Sequence, residues 1–84
     1  MTIKYELGKI YEFGKGVLKN EIRAFYFYRQ SAEKGYTSGM YKLGYYYLYG
    51  IIVDSDKKKA LDLYKKAAKG GNNNVHKGLV LFII

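Results

Sequence analysis

The chain repeats itself. Leu7-Gly8 recurs as Leu43-Gly44, a displacement of 36 residues. The same displacement carries Tyr5 onto Tyr41, Tyr11 onto Tyr47, Gly14 onto Gly50 and Val17 onto Val53. It also carries Asn20 onto Asp56, Ala24 onto Ala60, Tyr28 onto Tyr64, Ala32 onto Ala68 and Gly35 onto Gly71. No insertion is needed to hold the register. A third copy opens after Gly71 and stops early, with Leu79 where Leu43 predicts and Phe82 on Tyr46. A tandem unit of this length is one supersecondary element stacked on its neighbours, because a single unit cannot bury its apolar face alone.

Each unit reads as two helices. Met40, Leu43, Gly44 and Tyr47 fall at i, i+3, i+4 and i+7, which is one face of a helix, here expected from Ser38 to Tyr49 and ending at Gly50. Ile51-Ile52-Val53 forms the turn, with Val53, and Val17 before it, plugging the hairpin. Asp56 and Asn20 are placed to cap the second helices by accepting from free backbone N–H groups. Ala60, Leu63, Tyr64, Ala67 and Ala68 face the core, and Gly35 and Gly71 stand where a left-handed C-terminal cap is wanted. Gly8 and Gly44 lie inside helices, where glycine costs about 1 kcal/mol against alanine. Close approach of the partner helix, through Ala24, Ala32, Ala60 and Ala68, compensates. Asp62–Lys66 and Arg29–Glu33 are acid–base pairs one turn apart on the outer side. The fold class is all-α, an α-solenoid of tandem antiparallel helix hairpins.

The repeated pattern Leu-Gly-x-x-Tyr-x-x-Gly-x-x-Val, followed by Asn/Asp-x-x-x-Ala-x-x-x-Tyr-x-x-Ser/Ala-Ala-x-x-Gly, resembles the Sel-one-like repeat family, a cousin of the tetratricopeptide repeat with a longer unit. The resemblance covers nearly the whole chain: one unit over residues 3–35, a second over 39–71, and a partial third over 74–84 holding a first helix only. There are departures. Ile3 and Gly39 stand where the family usually has alanine. Ile52 replaces the second glycine of the turn that Gly14-Lys15-Gly16 retains, and Phe27 and Leu63 replace the usual tryptophan or tyrosine. A secreted bacterial branch of the family has a disulfide in every repeat, and this chain has no cysteine. The resemblance implies a non-catalytic scaffold or adaptor that holds protein partners, in signalling among other settings, on the inner face of the solenoid.

If the first helix of each hairpin lines that face, its outward positions are Tyr5, Lys9 and Phe13, then Tyr41, Tyr45 and Tyr49, then Lys77 and Leu81. Tyrosines flanked by lysines are good binding chemistry, being large, rigid and amphipathic. Tyr41 and Tyr45 are the foremost candidates for partner contact. The competing role for each ring is packing between repeats.

The net charge of +8 raises the alternative of RNA or another acidic surface as partner. The excess is spread along the chain with acids interleaved, which fits solvated helix faces better than a dedicated groove. Lys57-Lys58-Lys59 opens a helix, where cations oppose the helix dipole; an acidic partner is the functional reading and a solvated face the plainer one. The eleven tyrosines could stack on bases, but most have a place in the repeat.

Nothing points to catalysis or to a cofactor. His76 is the only histidine and there is no cysteine, so no metal set assembles around it. Gly14-Lys15-Gly16 lacks the remainder of a phosphate loop. The seven carboxylates fall on expected outer faces, with no pair arranged for acid–base work. The N-terminus shows no secretory signal and no apolar run is long enough to span a bilayer, so an intracellular, cytoplasmic protein is expected. Asn72-Asn73-Asn74 reads as the turn that caps the third unit's helix. In that helix Val75, Leu79, Phe82 and Ile83 have helical spacing. Ending on Leu-Phe-Ile-Ile, where a solenoid normally ends in a polar cap, implies a fragment of a longer array or self-association through this apolar helix.

Overall fold

The computed structural model describes residues 3–70. Four helices occupy most of that span: α1 (Ile3–Phe13), α2 (Glu21–Glu33), α3 (Thr37–Tyr49) and α4 (Lys57–Lys69), with no strand among the described residues. Each helix packs against the next in the chain, α1 on α2, α2 on α3 and α3 on α4. Chain order is therefore spatial order, and the architecture is a helical-repeat solenoid of two hairpins. Gly71, the third unit over residues 74–84 and the apolar tail lie outside the described residues.

The helix ends follow from local chemistry. The Asn20 carboxamide oxygen accepts from the Arg23 N–H at 3.0 Å, and the Asp56 carboxylate accepts from the Lys59 N–H at 3.0 Å. Caps of this kind stabilise a helix by about 1 kcal/mol each. The backbone N–H groups of the same two residues donate to the Tyr11 and Tyr47 carbonyls, both at 2.8 Å, so the repeat extends to individual hydrogen bonds. α3 ends on Gly50 in the left-handed conformation, and α2 is followed by Gly35 in the same region.

The core is built on rings. Tyr28, Tyr46 and Tyr64 are fully buried, with Ala24, Phe25, Ala32, Leu43, Ala60 and Ala67 around them. Tyr5, Tyr11, Met40, Tyr47, Ile51, Val53 and Leu63 cover the larger cluster, which centres on α2 and α3. Tyr41, Leu48 and Ala68 cover the smaller one, beside Tyr64. Leu7 is half-buried.

The glycines inside the helices admit these rings. A Cβ on Gly8 would lie 2.6 Å from Cε1 of Tyr28, and one on Gly44 would lie 2.9 Å from Cε1 of Tyr64. The alanines expected opposite are not the nearest groups. The Ala60 carbonyl is 3.3 Å from the Gly44 position, but the tyrosine ring is nearer in both copies. Gly39 has the same function between helices: a Cβ there would come within 2.7 Å of the Ser31 Cβ and 2.9 Å of the Ala32 nitrogen. Its counterpart Ile3 is exposed, no helix of the described residues packing over it.

Two other expectations are corrected. Val53 packs on the core, but Val17 is exposed. Ile51 and Val53 join a cluster that contains Phe25 of the preceding hairpin, and no described helix stands in that position for Val17. The outer pairs Asp62–Lys66 and Arg29–Glu33 are not among the ion pairs of the described residues; Arg29 instead lies over the Tyr26 ring at 5.1 Å. Exposed pairs gain too little to hold two long side chains in one geometry. Finally, Ile52 occupies the left-handed region at φ 69°, matching its counterpart Gly16 at φ 76°. A β-branched residue is strained there, at a cost of about 1–3 kcal/mol.

Two substitutions should move stability in opposite directions. Gly8→Ala gains about 1 kcal/mol of helix propensity but forces a methyl into the buried Tyr28 ring, and overpacking costs about 1–3 kcal/mol. A net loss is expected, read as a lower urea midpoint at unchanged slope. Ile52→Gly should raise the midpoint by the equivalent of about 1 kcal/mol, since the relieved strain exceeds the entropic cost of glycine.

Candidate functional site

The first helices of the two hairpins, α1 and α3, share a face. Phe13 at the end of α1 is 58% exposed, and Tyr45 and Tyr49, one turn apart on α3, are 38% and 56% exposed. The Tyr45 and Tyr49 rings touch, with centroids 4.8 Å apart. Lys42, three residues before Tyr45, reaches back to α1 and places its ammonium 5.2 Å from the Phe13 ring centre. Such cation–ring contacts contribute about 0.5–1 kcal/mol at exposed positions, and here the contact joins the aromatic positions of two repeats.

The remaining expected site residues sit differently. Tyr5 is half-buried, tilted against Tyr28 at 5.8 Å and edge-on to Tyr36 at 5.4 Å. Burial, and then the neighbouring Tyr36, raise its phenol above the usual value. Tyr41 is half-buried against Tyr64 at 5.5 Å. Lys9 lies over the Tyr5 ring at 5.2 Å and pairs with Glu6 at 3.6 Å. Lys77 and Leu81 lie outside the described residues. Thus Phe13, Tyr45 and Tyr49 present open ring surface, while Tyr5 and Tyr41 are engaged with the rings of their own hairpins.

Beneath this face lies a group that sequence reasoning placed on the outside. Glu12 is not outward: one of its carboxylate oxygens accepts from the Tyr28 hydroxyl at 2.5 Å and from the Lys42 ammonium at 3.1 Å. Its side chain is 12% exposed and that of Lys42 21%. A single oxygen therefore ties α1, α2 and α3. Burial, with the Glu12 hydrogen bond and charge adding to it, pushes the Tyr28 phenol far above the tyrosine range. The Tyr46 phenol is raised the same way, by burial first and then by Glu12 and Glu21; its hydroxyl has no hydrogen-bond partner of good geometry. One signal could have revealed Glu12. It stands four residues after Gly8, on the face of α1 that receives Tyr28, so it lies at the hydroxyl end of that ring.

The Sel1 repeat family model matches residues 4–36 and 37–72. The chain belongs to the Sel1 repeat family. It is 40% identical over 62 residues to a sel1-like repeat-containing protein of Acanthamoeba polyphaga mimivirus; the match covers 74% of this chain and 12% of that protein. Among solved structures it is similar to a Sel1 repeat protein from Oxalobacter formigenes, with a TM-score of 0.88, 38% identity, and coverage of 94% of this chain and 60% of that one. It is also similar to a protective antigen of uropathogenic Escherichia coli that displays an SLR fold, with a TM-score of 0.82, 31% identity, and coverage of 100% of this chain and 19% of that one. The chain thus spans only part of the length of each. Sel1 repeats are generally protein–protein interaction modules, and proteins built from them are typically non-catalytic scaffolds.

Comparison of the two Sel1 units separates what the repeat needs from what it does not. Leu48 takes the place of Glu12 and packs beside Tyr64, so the position accepts an apolar residue. Elsewhere, Lys57, Lys58 and Lys59 are all exposed, and Lys59 lies over the Tyr47 ring at 4.8 Å. No group of His, Cys, Asp and Glu among the described residues could hold a metal ion, and His76 lies outside them. No described helix is long and apolar enough to cross a membrane.

Removal of Glu12 should be costly and partly reversible. Glu12→Ala leaves the Lys42 ammonium and the Tyr28 hydroxyl without their shared acceptor, a loss of about 2–4 kcal/mol. Adding Lys42→Met removes one stranded group, so the double variant should be more stable than additivity of the single variants allows. A denaturant-unfolding double-mutant cycle checks this.

Proposed function

We propose that this Sel1 unit pair binds a polypeptide partner on the face formed by α1 and α3, with Phe13, Tyr45 and Tyr49 as ring anchors. Tyr5, Lys9 and Tyr41 flank them. The observation that carries this reading is the placement of three exposed rings on one pair of helices, with Tyr45 and Tyr49 in contact; the other exposed ring among the described residues, Tyr26, lies on α2 beneath Arg29. Rings are costly to leave in water, and tyrosine gives large contact area with little side-chain entropy to lose. The neighbouring Lys42 and Lys9 are paired with Glu12 and Glu6, so a segment carrying apolar or aromatic anchors is the best match in chemistry. The family's general role as an interaction module supports the same reading. The rings are part of a non-catalytic scaffold, in which binding energy holds a partner and drives no bond change.

The test is affinity capture from the source organism's lysate, with and without nuclease, using the native chain and a Tyr45→Ala/Tyr49→Ala variant. A discrete protein partner should survive nuclease and be lost, or weakened by about tenfold or more, in the variant. Both side chains are substantially exposed, so thermal stability should fall by no more than about 1 kcal/mol. Proteins lost on nuclease treatment, together with co-purified RNA, would replace this reading with nucleic-acid binding through the basic helix faces.

A further inference from the structure

A cleft of about 400 Å³ opens where the start of α1 meets the turn between α2 and α3; Lys4, Ser31, Lys34, Gly35 and Tyr36 line it. Phe27 and Ser31 lie one turn apart on one stripe of α2, and Lys34 caps that helix three residues after Ser31. Lys4 reaches over that stripe, its ammonium 5.6 Å from the Phe27 ring centre. Tyr36 closes one wall and is held by its edge-on contact with Tyr5. The cleft is thus lined by two lysines, a buried serine and a tyrosine, with no carboxylate among its lining residues.

The second repeat shows that the fold does not require this set. The residues equivalent to Lys4, Ser31, Lys34 and Tyr36 are Met40, Ala67, Gly70 and Asn72. Met40 and Ala67 are apolar and belong to the packed interior of their own unit. The polar set therefore exists in one copy only, and all of it converges on one cleft. Two cations with hydroxyl donors and no competing acid are complementary to an oxyanion.

We propose that this cleft is an oxyanion site that takes a carboxylate or phosphate group, with Lys4 and Lys34 supplying charge and Ser31 and Tyr36 supplying directed hydrogen bonds. The site is separate from the α1–α3 face and does not rest on partner binding there.

The test is a nuclear magnetic resonance titration of the whole chain with two probes at constant ionic strength: sodium phosphate, and a tetraglutamate peptide with an amidated end. Saturable shifts centred on Lys4, Ser31, Lys34, Gly35 and Tyr36 are expected with at least one probe, and the probe that saturates first tells phosphate from carboxylate. A Lys4→Met/Ser31→Ala/Lys34→Gly variant carries the residues of the second repeat and should weaken binding by about tenfold or more with an unchanged helical spectrum. If that variant does not fold, the single Lys34→Met variant, at an exposed position, should still weaken it. Lys57→Met/Lys58→Met removes two exposed cations elsewhere and should leave binding unchanged. Shifts that never saturate, that spread over all lysines, or that fall equally in the Lys57/Lys58 variant would overturn the proposal.

Discussion

The contact of a tyrosine ring with a helical glycine sets the geometry of both hairpins. A ring of that size cannot lie between two helices at ordinary spacing unless one backbone lacks a Cβ. Gly8 receives Tyr28 and Gly44 receives Tyr64, each at a distance no side chain could share. The arrangement costs helix propensity at the glycine and recovers it through a ring removed entirely from water. It also fixes the register, because a slip of one residue would bring a Cβ against the ring. The alanines, the caps and the left-handed turns then have one arrangement to satisfy.

A chain that contains two copies of one unit carries its own control. Positions alike in both copies, such as the capping pair Asn20 and Asp56 or the carbonyls of Tyr11 and Tyr47, serve the hairpin. Positions that differ are released from that duty. Glu12 against Leu48 shows that the hydroxyl end of the buried ring can be met by a hydrogen bond or by an apolar neighbour. Phe13 against Tyr49 shows an exposed ring kept at one position in two chemistries. Gly16 against Ile52 shows the reverse case, a conformation retained although the residue no longer suits it. The turn is held by hydrogen bonds on either side, so the strain is carried by a structure that has other reasons to be there.

The periodic part of this architecture was legible because spacing alone carries it. Leu43, Gly44 and Tyr47 define a helix face whatever surrounds them, and Asn20 or Asp56 caps whatever helix follows. Long-range partners were not legible. Gly8 signalled a close approach, but only coordinates show that the approaching group is the ring of Tyr28. Glu12 reads as an outer carboxylate by residue type; its ion-pair partner Lys42 is 30 residues away, at a register where the first unit has Glu6. Val17 and Val53 are identical by register yet differ in exposure, since only Val53 has a described hairpin before it. Among the proposed anchors, the sequence could not separate Tyr45 from Tyr41, because both lie at helical spacing on one stripe and burial depends on the ring each one meets.

Charge and rings act differently on this surface. A net charge of +8 on a small chain creates a field that draws acidic partners from a distance and loses strength with salt. Several acids are already committed, with Glu6 beside Lys9, Glu12 beside Lys42 and Glu21 beside Lys19, so the remaining lysines dominate the field. That field has little directional content. The exposed rings have the opposite character: they exert no long-range pull, but once in contact they exclude water over a defined shape. Positive charge spread along the helices therefore bears on how fast an acidic partner arrives. In the proposed complex Phe13, Tyr45 and Tyr49, with the Glu12–Lys42 link beneath them, would set how long it stays.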